Sequence, residues 1–475
     1  MSISYYKNQL ITNLADSTKI NYKAYYHNNI LFGANAETGD TPTDYSTQYL
    51  TFVATSGGTF NFSGTTTANT ISYSTDSGAT WSTPAQVATI NVSSSDVVMW
   101  KGEMTPTNKG IGTYSASTAS FDTQGNIMSL LYGDSFKNQT SLSGKNYAFY
   151  NLFRTANCLD VSNLILPSTT LIERCYSNMF YGCSGLTTAP TLPATTLADN
   201  CYREMFQGCT SLATAPQLPA TAITTNCYRS MFNGCTSLTT APTLPATTMY
   251  DSCYKYMFNG CRGLTQAPQL PATTLASSCY ENMFSVCTSL TTAPSLPATT
   301  LQNYCYKNMF SGCTSLTTVT ELPATTLAAQ CYWQMFYNCT SLETAPSVLP
   351  ATTLAASAYT GMFRSCTILE TAPQLPATTL ANNCYFQMFY GCTSLTTAPQ
   401  LPATTLATYC YYQMFNGCTN LNYIKMLATD ISASNCLSYW VSGVASSGTF
   451  VKAASMTSLP TGTSGIPNGW TVQNA

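Results

Sequence analysis

Cysteines recur along this chain at a constant spacing, and that repeat limits the folds the chain can adopt. First cysteines are 26 residues apart, and each except Cys436 is followed eight residues later by a second cysteine. Ala358 replaces one first cysteine, and an extra residue near Val348 lengthens the repeat before it, which starts at Cys331, to 27. A fixed period of this length is typical of one supersecondary unit per repeat, stacked on its neighbours. The first cysteines are Cys175, Cys201, Cys227, Cys253, Cys279, Cys305, Cys331, Cys384, Cys410 and Cys436.

The unit that begins at Cys201 shows how each repeat is built. Cys201, Met205 and Cys209 lie at positions i, i+4 and i+8, with Phe206 beside them. This spacing predicts an apolar stripe along about two turns of a short helix, which Gly208 ends because glycine accepts the left-handed conformation of a C-cap. We interpret the two cysteines, Met205 and Phe206 as structural core residues.

A short extended segment follows each predicted helix. In the same unit it runs from Leu212 to Ala215 and ends at Pro216, since proline has no N–H for a β-ladder. Leu-Pro-Ala-Thr-Thr-Leu segments then return the chain to the next helix. The pattern predicts a mixed α/β solenoid with short helices on one side and a parallel sheet on the other.

The 21 cysteines allow several interpretations. We favour free, buried structural thiols, because cysteine packs well in an apolar core and no export signal points to an oxidising compartment. Disulfides are the alternative. A spacing of eight matches no zinc pattern, and no neighbouring group would lower a thiol pKa for catalysis.

The repeated core resembles the BspA-like bacterial leucine-rich repeat. It reads Met-Phe-Asn-Gly-Cys-Thr-Ser-Leu at residues 231–238, and the resemblance covers residues 148–430. It implies a right-handed solenoid with a parallel sheet and short helices, used in adhesion or ligand binding and not in catalysis. The family occurs on bacterial surface proteins and in phages. The proline-rich return departs from the common pattern.

The regions before the repeats differ from them in composition. Residues 1–45 are rich in Tyr and Asn, and Ile20–Tyr26 is either a strand, an arm that docks on another protein, or part of a partly ordered tail. Residues 46–105 alternate apolar and polar side chains, which predicts a small all-β sandwich. Its predicted strands are Leu50–Ala54, Thr59–Phe62, Thr70–Tyr73, Val87–Val92 and Asp96–Trp100.

Ser74–Trp81 fits the Asp-box pattern S-x-D-x-G-x-T-W of sialidases and related β-proteins. There Asp76 would cap a hairpin turn and Trp81 would pack beneath it. A single copy without an arginine cluster favours a structural role for both residues.

These patterns divide the chain into five regions. Phe149, Leu152, Phe153 and Cys158 resemble a degenerate first repeat. The regions are an attachment arm at 1–45, the β-sandwich at 46–105, a connecting and N-capping region at 106–147, about ten 26-residue repeats at 148–430, and a C-terminal cap at 431–475 with closing strands at Gly448–Val451 and Trp470–Val472.

Composition excludes several classes of function. Only 8% of the 475 residues are charged and the net charge is −2, so the chain has no basic stripe for nucleic acid or for a charged membrane surface. A single histidine, His27, leaves no histidine-based triad or zinc site. We expect no enzyme activity, no cofactor, no metal and no membrane span.

Two function hypotheses remain. The first is a phage virion surface protein, of fibre or decoration type, whose N-terminal region binds virion structural proteins and whose solenoid binds a host surface protein or glycan. The second is a bacterial cell-surface adhesin with the same repeats. The absence of a visible signal peptide favours synthesis in the cytoplasm and the virion surface. Homo-oligomer formation is open.

Aromatic side chains in three late repeats mark the predicted ligand-binding site. They occupy the second and sixth positions after the first cysteine, which would share one helix face. Exposed aromatic rings with amide and hydroxyl neighbours suit stacking on sugar rings, although ordinary packing would also explain them. A strand face with Thr187, Thr239 and Asn422 is the competing site. The aromatic residues are Trp333, Tyr337, Phe386, Tyr390 and Tyr412.

Overall fold

The protein is described by a computed structural model that covers residues 44–64, 70–84 and 88–475, and the backbone of residues 25–27 and 30–32. The chain divides into two compact units, residues 1–44 and residues 45–475. In the first unit, strands β1 (Tyr25–His27) and β2 (Ile30–Phe32) pair antiparallel. Apart from Asp44 and Tyr45, the rest of the predicted arm, including Ile20–Ala24, lies outside the described residues.

A β-module occupies residues 45–165 and also contains one short helix, α1 (Ser129–Tyr132), and 3-10 turns at Tyr45–Thr47 and Gly133–Asn138. The strands predicted from alternation are confirmed to within two residues. In the described part of the module the strands are β3 (Leu50–Ala54), β4 (Gly58–Phe62), β5 (Ile71–Ser74), β6 (Ala88–Val92), β7 (Val97–Gly102), β8 (Phe121–Asn126) and β9 (Cys158–Ile165).

These strands form two sheets that pack through aromatic rings. One sheet has the order β5-β7-β3-β8-β9, and the other pairs β4 with β6. The Phe52 ring lies 5.4 Å from Phe60 of the second sheet and 4.5 Å from Phe121 of its own. Strand β9 pairs parallel with β8, whereas the other pairings are antiparallel. Strand β8, which lies within residues 106–147, therefore joins the sheet to the first repeat by pairing with β9.

The helix prediction for the repeats is wrong. Each predicted helix is instead a series of β-turns in which every fourth residue has a positive φ, as at Asn200, Glu204 and Gly208 with φ of 58°, 57° and 76°. We call this segment the turn ribbon. The left-handed conformation interrupts an α-helix at every turn, and Asn and Gly tolerate it best.

Backbone amides in the turn ribbon alternate between two kinds of partner. The amides of Tyr202 and Glu204 donate to the carbonyls of Cys227 and Arg229 in the next repeat, at 3.0 and 2.9 Å. The amides between them close turns within the repeat, such as Met205 to the Tyr202 carbonyl at 3.2 Å. Every second amide therefore ties one repeat to the next, which satisfies the backbone without a helix.

Burial in the turn ribbon of the Cys201 repeat follows a period of four. Cys201, Tyr202, Met205 and Phe206 are buried, and the two residues after each pair are half-buried. The spacing i, i+4, i+8 fits this ribbon as well as it fits a helix, so the predicted core residues are correct although the predicted element is not. Cys209 is buried too.

Parallel pairing between successive repeats is confined to single bridges. The predicted strand Leu212–Ala215 is reduced to a bridge between Thr214 and Thr240, and a second bridge joins Thr196 to Ala222 in the return. Continuous parallel strands occur only at the two ends of the stack. The repeats are thus stacked in sequence order, while the right-handed solenoid stays a prediction.

Side chains of equivalent positions form columns inside the stack. The Phe206 ring lies 5.5 Å from Phe180 and 5.7 Å from Phe232, with nearly parallel planes. Tyrosines form a second column, in which Tyr202 lies 5.8 Å from Tyr228. Offset stacking of this kind adds to the apolar area that each repeat buries.

Cysteines form two further buried columns, and all 21 are thiols in the structure. The second cysteine of a repeat donates from its Sγ to a phenylalanine carbonyl of the preceding repeat, as from Cys209 to Phe180 at 3.1 Å. In the column of first cysteines, Ala358 takes the place of one cysteine and is also buried. A thiol fits the position of the second cysteine because it is small, largely apolar and still a hydrogen-bond donor.

The C-terminal end closes the columns. Strands β10 (Tyr423–Met426), β11 (Thr449–Lys452) and β12 (Thr471–Asn474) pair parallel in that order, which confirms the predicted closing strands. Trp440 lies 6.3 Å from Tyr411 and 6.1 Å from Phe415, at the end of both aromatic columns. Its indole donates to the Gly465 carbonyl at 2.9 Å.

The repeat geometry predicts a stabilising substitution at Val286. Val286 has a φ of 60° where equivalent positions hold glycine, such as Gly260 with a φ of 71°. A β-branched residue is strained there, by about 1–2 kcal/mol. We expect Val286→Gly to raise the free energy of unfolding by about 1 kcal/mol, measured by urea denaturation. Gly260→Val is the matched control and should be destabilising; a loss of stability in Val286→Gly would contradict the argument.

Buried thiols predict that the fold is lost at alkaline pH. Desolvation raises the pKa of Cys175 and Cys183 from 9.0 to about 12, and the other cysteines shift in the same direction. Below about pH 9 these thiols are protonated in both the folded and the unfolded state, so the folded state keeps its full stability. Between pH 9 and 12 only the unfolded chain ionises, so the free energy of unfolding falls by up to about 1.4 kcal/mol per pH unit for each such thiol.

The measurement is the urea midpoint at pH 7, 9, 10 and 11 with reductant present throughout. We expect a steep fall above pH 9, because many thiols titrate together. A midpoint that stays constant to pH 11 would show that the cysteines are not buried as thiols.

Candidate ligand-binding face

The turn ribbons of successive repeats form one surface, which we call the turn face. It consists of the third and fourth residues of each four-residue unit, whereas the first two point into the core. In the repeat of Cys331 these outer residues are Trp333, Gln334, Tyr337 and Asn338, all half-buried. Because the inner positions are nearly identical from repeat to repeat, the repeats differ mainly on this face.

Most charged residues on the early part of the turn face are paired with each other, although Arg229 forms no ion pair in the described residues. Arg203 contacts Glu204 at 2.8 Å, and Lys255 contacts Glu281 at 2.7 Å from the neighbouring repeat. Lys307 lies 4.0 Å from the same Glu281 carboxylate. These pairs satisfy most of the local charge within the protein.

Aromatic side chains replace the charged ones on the late part of the turn face. Trp333, Tyr337, Phe386, Tyr390 and Tyr412 all lie there and are half-buried, and we call them the aromatic patch. They share a face as the sequence predicted, but this is a face of the turn ribbon and not of a helix. Ligand binding by these residues stays a prediction.

Phe386 and Tyr412 form the most regular contact in the aromatic patch. Their rings are 4.8 Å apart with planes 9° from parallel, across one repeat step. Tyr439 of the next repeat meets Tyr412 edge-on at 6.4 Å and is 53% exposed. The stack therefore presents a ring surface that extends beyond the predicted residues.

Trp333 lies at the border between the charged and aromatic parts of the turn face. The Nζ of Lys307, one repeat earlier, lies 5.4 Å from the Trp333 ring centroid. This cation–π contact fixes one side of the indole.

Arg364 lies between two tyrosines of the aromatic patch. Its guanidinium lies 5.6 Å from the Tyr337 ring centroid and 4.8 Å from that of Tyr390, one repeat before and one after. Its Nη1 donates to Oε1 of Gln387 at 2.7 Å, and Gln387 Nε2 donates to Oε1 of Gln413 at 2.6 Å. The three residues form a polar line alongside the rings.

Sequence reasoning missed the roles of Arg364, Gln387, Gln413 and Tyr439. In the sequence, Arg364 interrupts the aromatic residues at the sixth position of the late repeats. Alignment of position six across repeats gives Tyr337, Arg364 and Tyr390 in succession, and that order was the signal that an arginine sits between two rings.

The competing strand face is polar and partly engaged with the backbone. Thr187, Thr239 and Asn422 are all exposed. The Thr187 hydroxyl donates to the Leu159 carbonyl at 3.0 Å, and the Thr239 hydroxyl to Ala213 at 3.4 Å. These hydroxyls support the preceding repeat, which leaves them less available to a ligand.

The Asp-box residues form a well-bonded turn in the β-module. Asp76 accepts from the Ser74 hydroxyl at 2.7 Å and from the Thr80 amide at 2.9 Å. The Thr80 hydroxyl bond is the main cause that lowers the pKa of Asp76 to about 2. The Trp81 and Tyr49 ring centroids are 4.9 Å apart, and the Nζ of Lys101 lies 4.2 Å from the Trp81 ring centroid.

Titratable groups in the described part of the chain do not converge on a site. The strongly raised pKa values belong to buried thiols and phenols, such as Cys209 and Tyr202, and desolvation is the main cause. Among the described residues no group of three His, Cys, Asp or Glu side chains is placed to hold a metal ion. No helix there is long and apolar enough to cross a membrane.

Stacked 26-residue units with a common core and a variable outer face define a leucine-rich-repeat type of protein. The sequence pattern of the BspA type leucine rich repeat region matches six copies, at residues 135–265, 225–370 and 333–439, which together cover more than half of the chain. The chain belongs to this family, as the repeated core predicted. Proteins with these repeats are typically non-enzymatic surface proteins that act in adhesion and protein binding.

No curated protein and no solved structure is detectably similar to the chain.

Proposed function

We propose that this chain is a surface protein of a bacterial phage virion, of fibre or decoration type, whose repeat stack binds a ligand on the host cell. The aromatic patch carries the proposal: five half-buried rings lie on one face of three late repeats. Virion structural proteins would hold the N-terminal region. The ligand is a host surface protein or glycan.

The chemistry of the aromatic patch supports binding and not catalysis. Rings on a rigid stack offer a large apolar area at low entropic cost, and the Gln387 and Gln413 amides beside them donate and accept hydrogen bonds. Sugar rings present apolar faces edged by hydroxyl groups, which matches this combination.

The order of the parts along the chain supports a virion protein by analogy. A separate N-terminal unit precedes a β-module, and the repeat stack follows. This order suits an anchor followed by a spacer and a distal binding element, although the same repeats could serve a cell-surface adhesin. Mass spectrometry of purified virions and of washed cell envelopes separates the two: recovery only from envelopes would favour the adhesin.

Combined replacement of Trp333, Phe386 and Tyr412 by serine tests the binding surface. We expect host-cell binding to fall by about 100-fold or more, because clustered aromatic anchors dominate interface energy. The fold should survive, since these side chains lie outside the buried columns. Binding is measured with labelled protein on host cells, and folding by the urea midpoint.

A matched triple variant on the strand face, Thr187→Ala, Thr239→Ala and Asn422→Ala, is the control. It should keep its binding to host cells. If the serine variant folds and binds normally while the alanine variant loses binding, the strand face is the site and the aromatic patch is not.

A further inference from the structure

We propose that the aromatic patch selects acidic saccharides and that Arg364 binds their carboxylate. This inference rests on the proposed function and names the class of ligand for the same surface. The geometry that points to it is a guanidinium held between two tyrosine rings, at 5.6 and 4.8 Å, without an acidic partner in the described residues.

Arg364 differs in its surroundings from the ion-paired cations of the early turn face. Arg203 and Lys255 each contact a glutamate within 2.8 Å. In the described residues 44–64, 70–84 and 88–475, Arg364 forms no ion pair, and its only hydrogen-bond acceptor recorded there is the Gln387 amide oxygen. Its Nε is buried without a hydrogen-bond partner. A ligand cannot reach this buried atom, so the donors open to a ligand are the Nη N–H groups that Gln387 does not engage.

The late turn face holds no acidic residue to repel an anion. Between residues 331 and 443 the acidic residues are Glu343, Glu370 and Asp430, and each lies outside the turn ribbons. Arg364 is therefore the one charged group of the late turn face within the described residues. A neutral ring surface with a single cation matches a sugar chain with a negative charge on some of its rings.

Arginine is suited to this task because of its shape. The planar guanidinium donates two parallel hydrogen bonds to a carboxylate and still stacks on aromatic faces. Tyr337 and Tyr390 orient the plane, so little side-chain entropy is lost when an anion binds. The neighbouring rings can then carry the sugars on either side of the charged one.

The repeat of Arg364 lacks a side chain where the flanking repeats carry glutamine. Gly361 takes this place with a φ of 57°, between Gln334 and Gln387 in the adjacent repeats. A Cβ atom built on Gly361 would lie 3.0 Å from the Gln334 side chain and 3.8 Å from Cβ of Arg364. A side chain at this position would press on Gln334 and would touch Arg364 at van der Waals distance, so glycine relieves Gln334 and leaves space beside the arginine.

The test measures binding of the full chain to polygalacturonate and to polysialic acid, each compared with the same polymer after its carboxyl groups are reduced to alcohols. We expect at least one acidic polymer to bind about tenfold more tightly than its reduced form, the effect of one charged hydrogen-bonded contact. Arg364→Gln should remove this difference and leave binding to the reduced polymer unchanged.

Arg229→Gln is the matched control, because Arg229 is another turn-face arginine whose Nε is buried without a hydrogen-bond partner, but it lies in the early repeats. It should keep the preference for the acidic polymer. Arg364→Lys retains the charge without the planar fork and should restore the preference only in part. Urea midpoints of all variants confirm that they are folded.

Three outcomes would overturn the inference: no acidic polymer binds, the acidic and reduced polymers bind equally, or Arg364→Gln keeps the preference. Stronger binding of dextran sulfate than of any carboxylated polymer would also overturn it, because sulfate would then be the preferred anion. If the reduced polymers bind as well as the acidic ones while the Trp333, Phe386 and Tyr412 serine variant loses host cells, the proposed function stands and the selection for acid does not.

Discussion

The alternation of backbone hydrogen bonds in the turn ribbon is the interaction on which the rest of the structure depends. One amide closes a turn within the repeat, and the next donates to the following repeat, as Arg203 and Glu204 do at 3.2 and 2.9 Å. The amides of two consecutive residues therefore bond to different partners, one within the repeat and one in the next repeat. An α-helix would use all these amides internally and would leave neighbouring repeats without backbone bonds, so that packing alone would hold the stack.

The same alternation explains the interior of the stack. Because each repeat is held in register by several backbone bonds, identical side chains lie above one another, and phenylalanines stack on phenylalanines at 5.3–5.7 Å. Register also places each second cysteine against a phenylalanine carbonyl of the preceding repeat. Inner positions are consequently restricted to few residue types, whereas the outer positions accept more types, within the limit that a positive φ sets at every fourth residue.

Much of this architecture follows from the sequence, and the errors have a physical cause. Alternation predicted the strands between Leu50 and Gly102 because a half-buried sheet imposes a period of two. The repeat predicted the core residues, since both a helix and the ribbon bury Met205 and Phe206. The helix itself was wrong because a spacing of four cannot separate the two structures. The positive φ of residues 200, 204 and 208 is what distinguishes the turn ribbon from a helix. Arg364 was overlooked since its neighbours lie 26 or 27 residues away in sequence.

The irregular repeat around Ala358 shows how a binding surface can be placed on such a stack. Bridges shift from an offset of 27 at Thr344 and Thr371 to 26 at Val348 and Gln374, so the extra residue is absorbed between 344 and 348. The ribbon bonds continue across it, from Gln334 to the Thr360 carbonyl at 2.8 Å. Since the insertion lies in the return and the ribbon keeps its bonds, Arg364 stays in line with the tyrosines of both neighbours. A change of length on one side of the stack thus leaves the register of the turn face intact, and a guanidinium can occupy a position that aromatic rings flank on both sides.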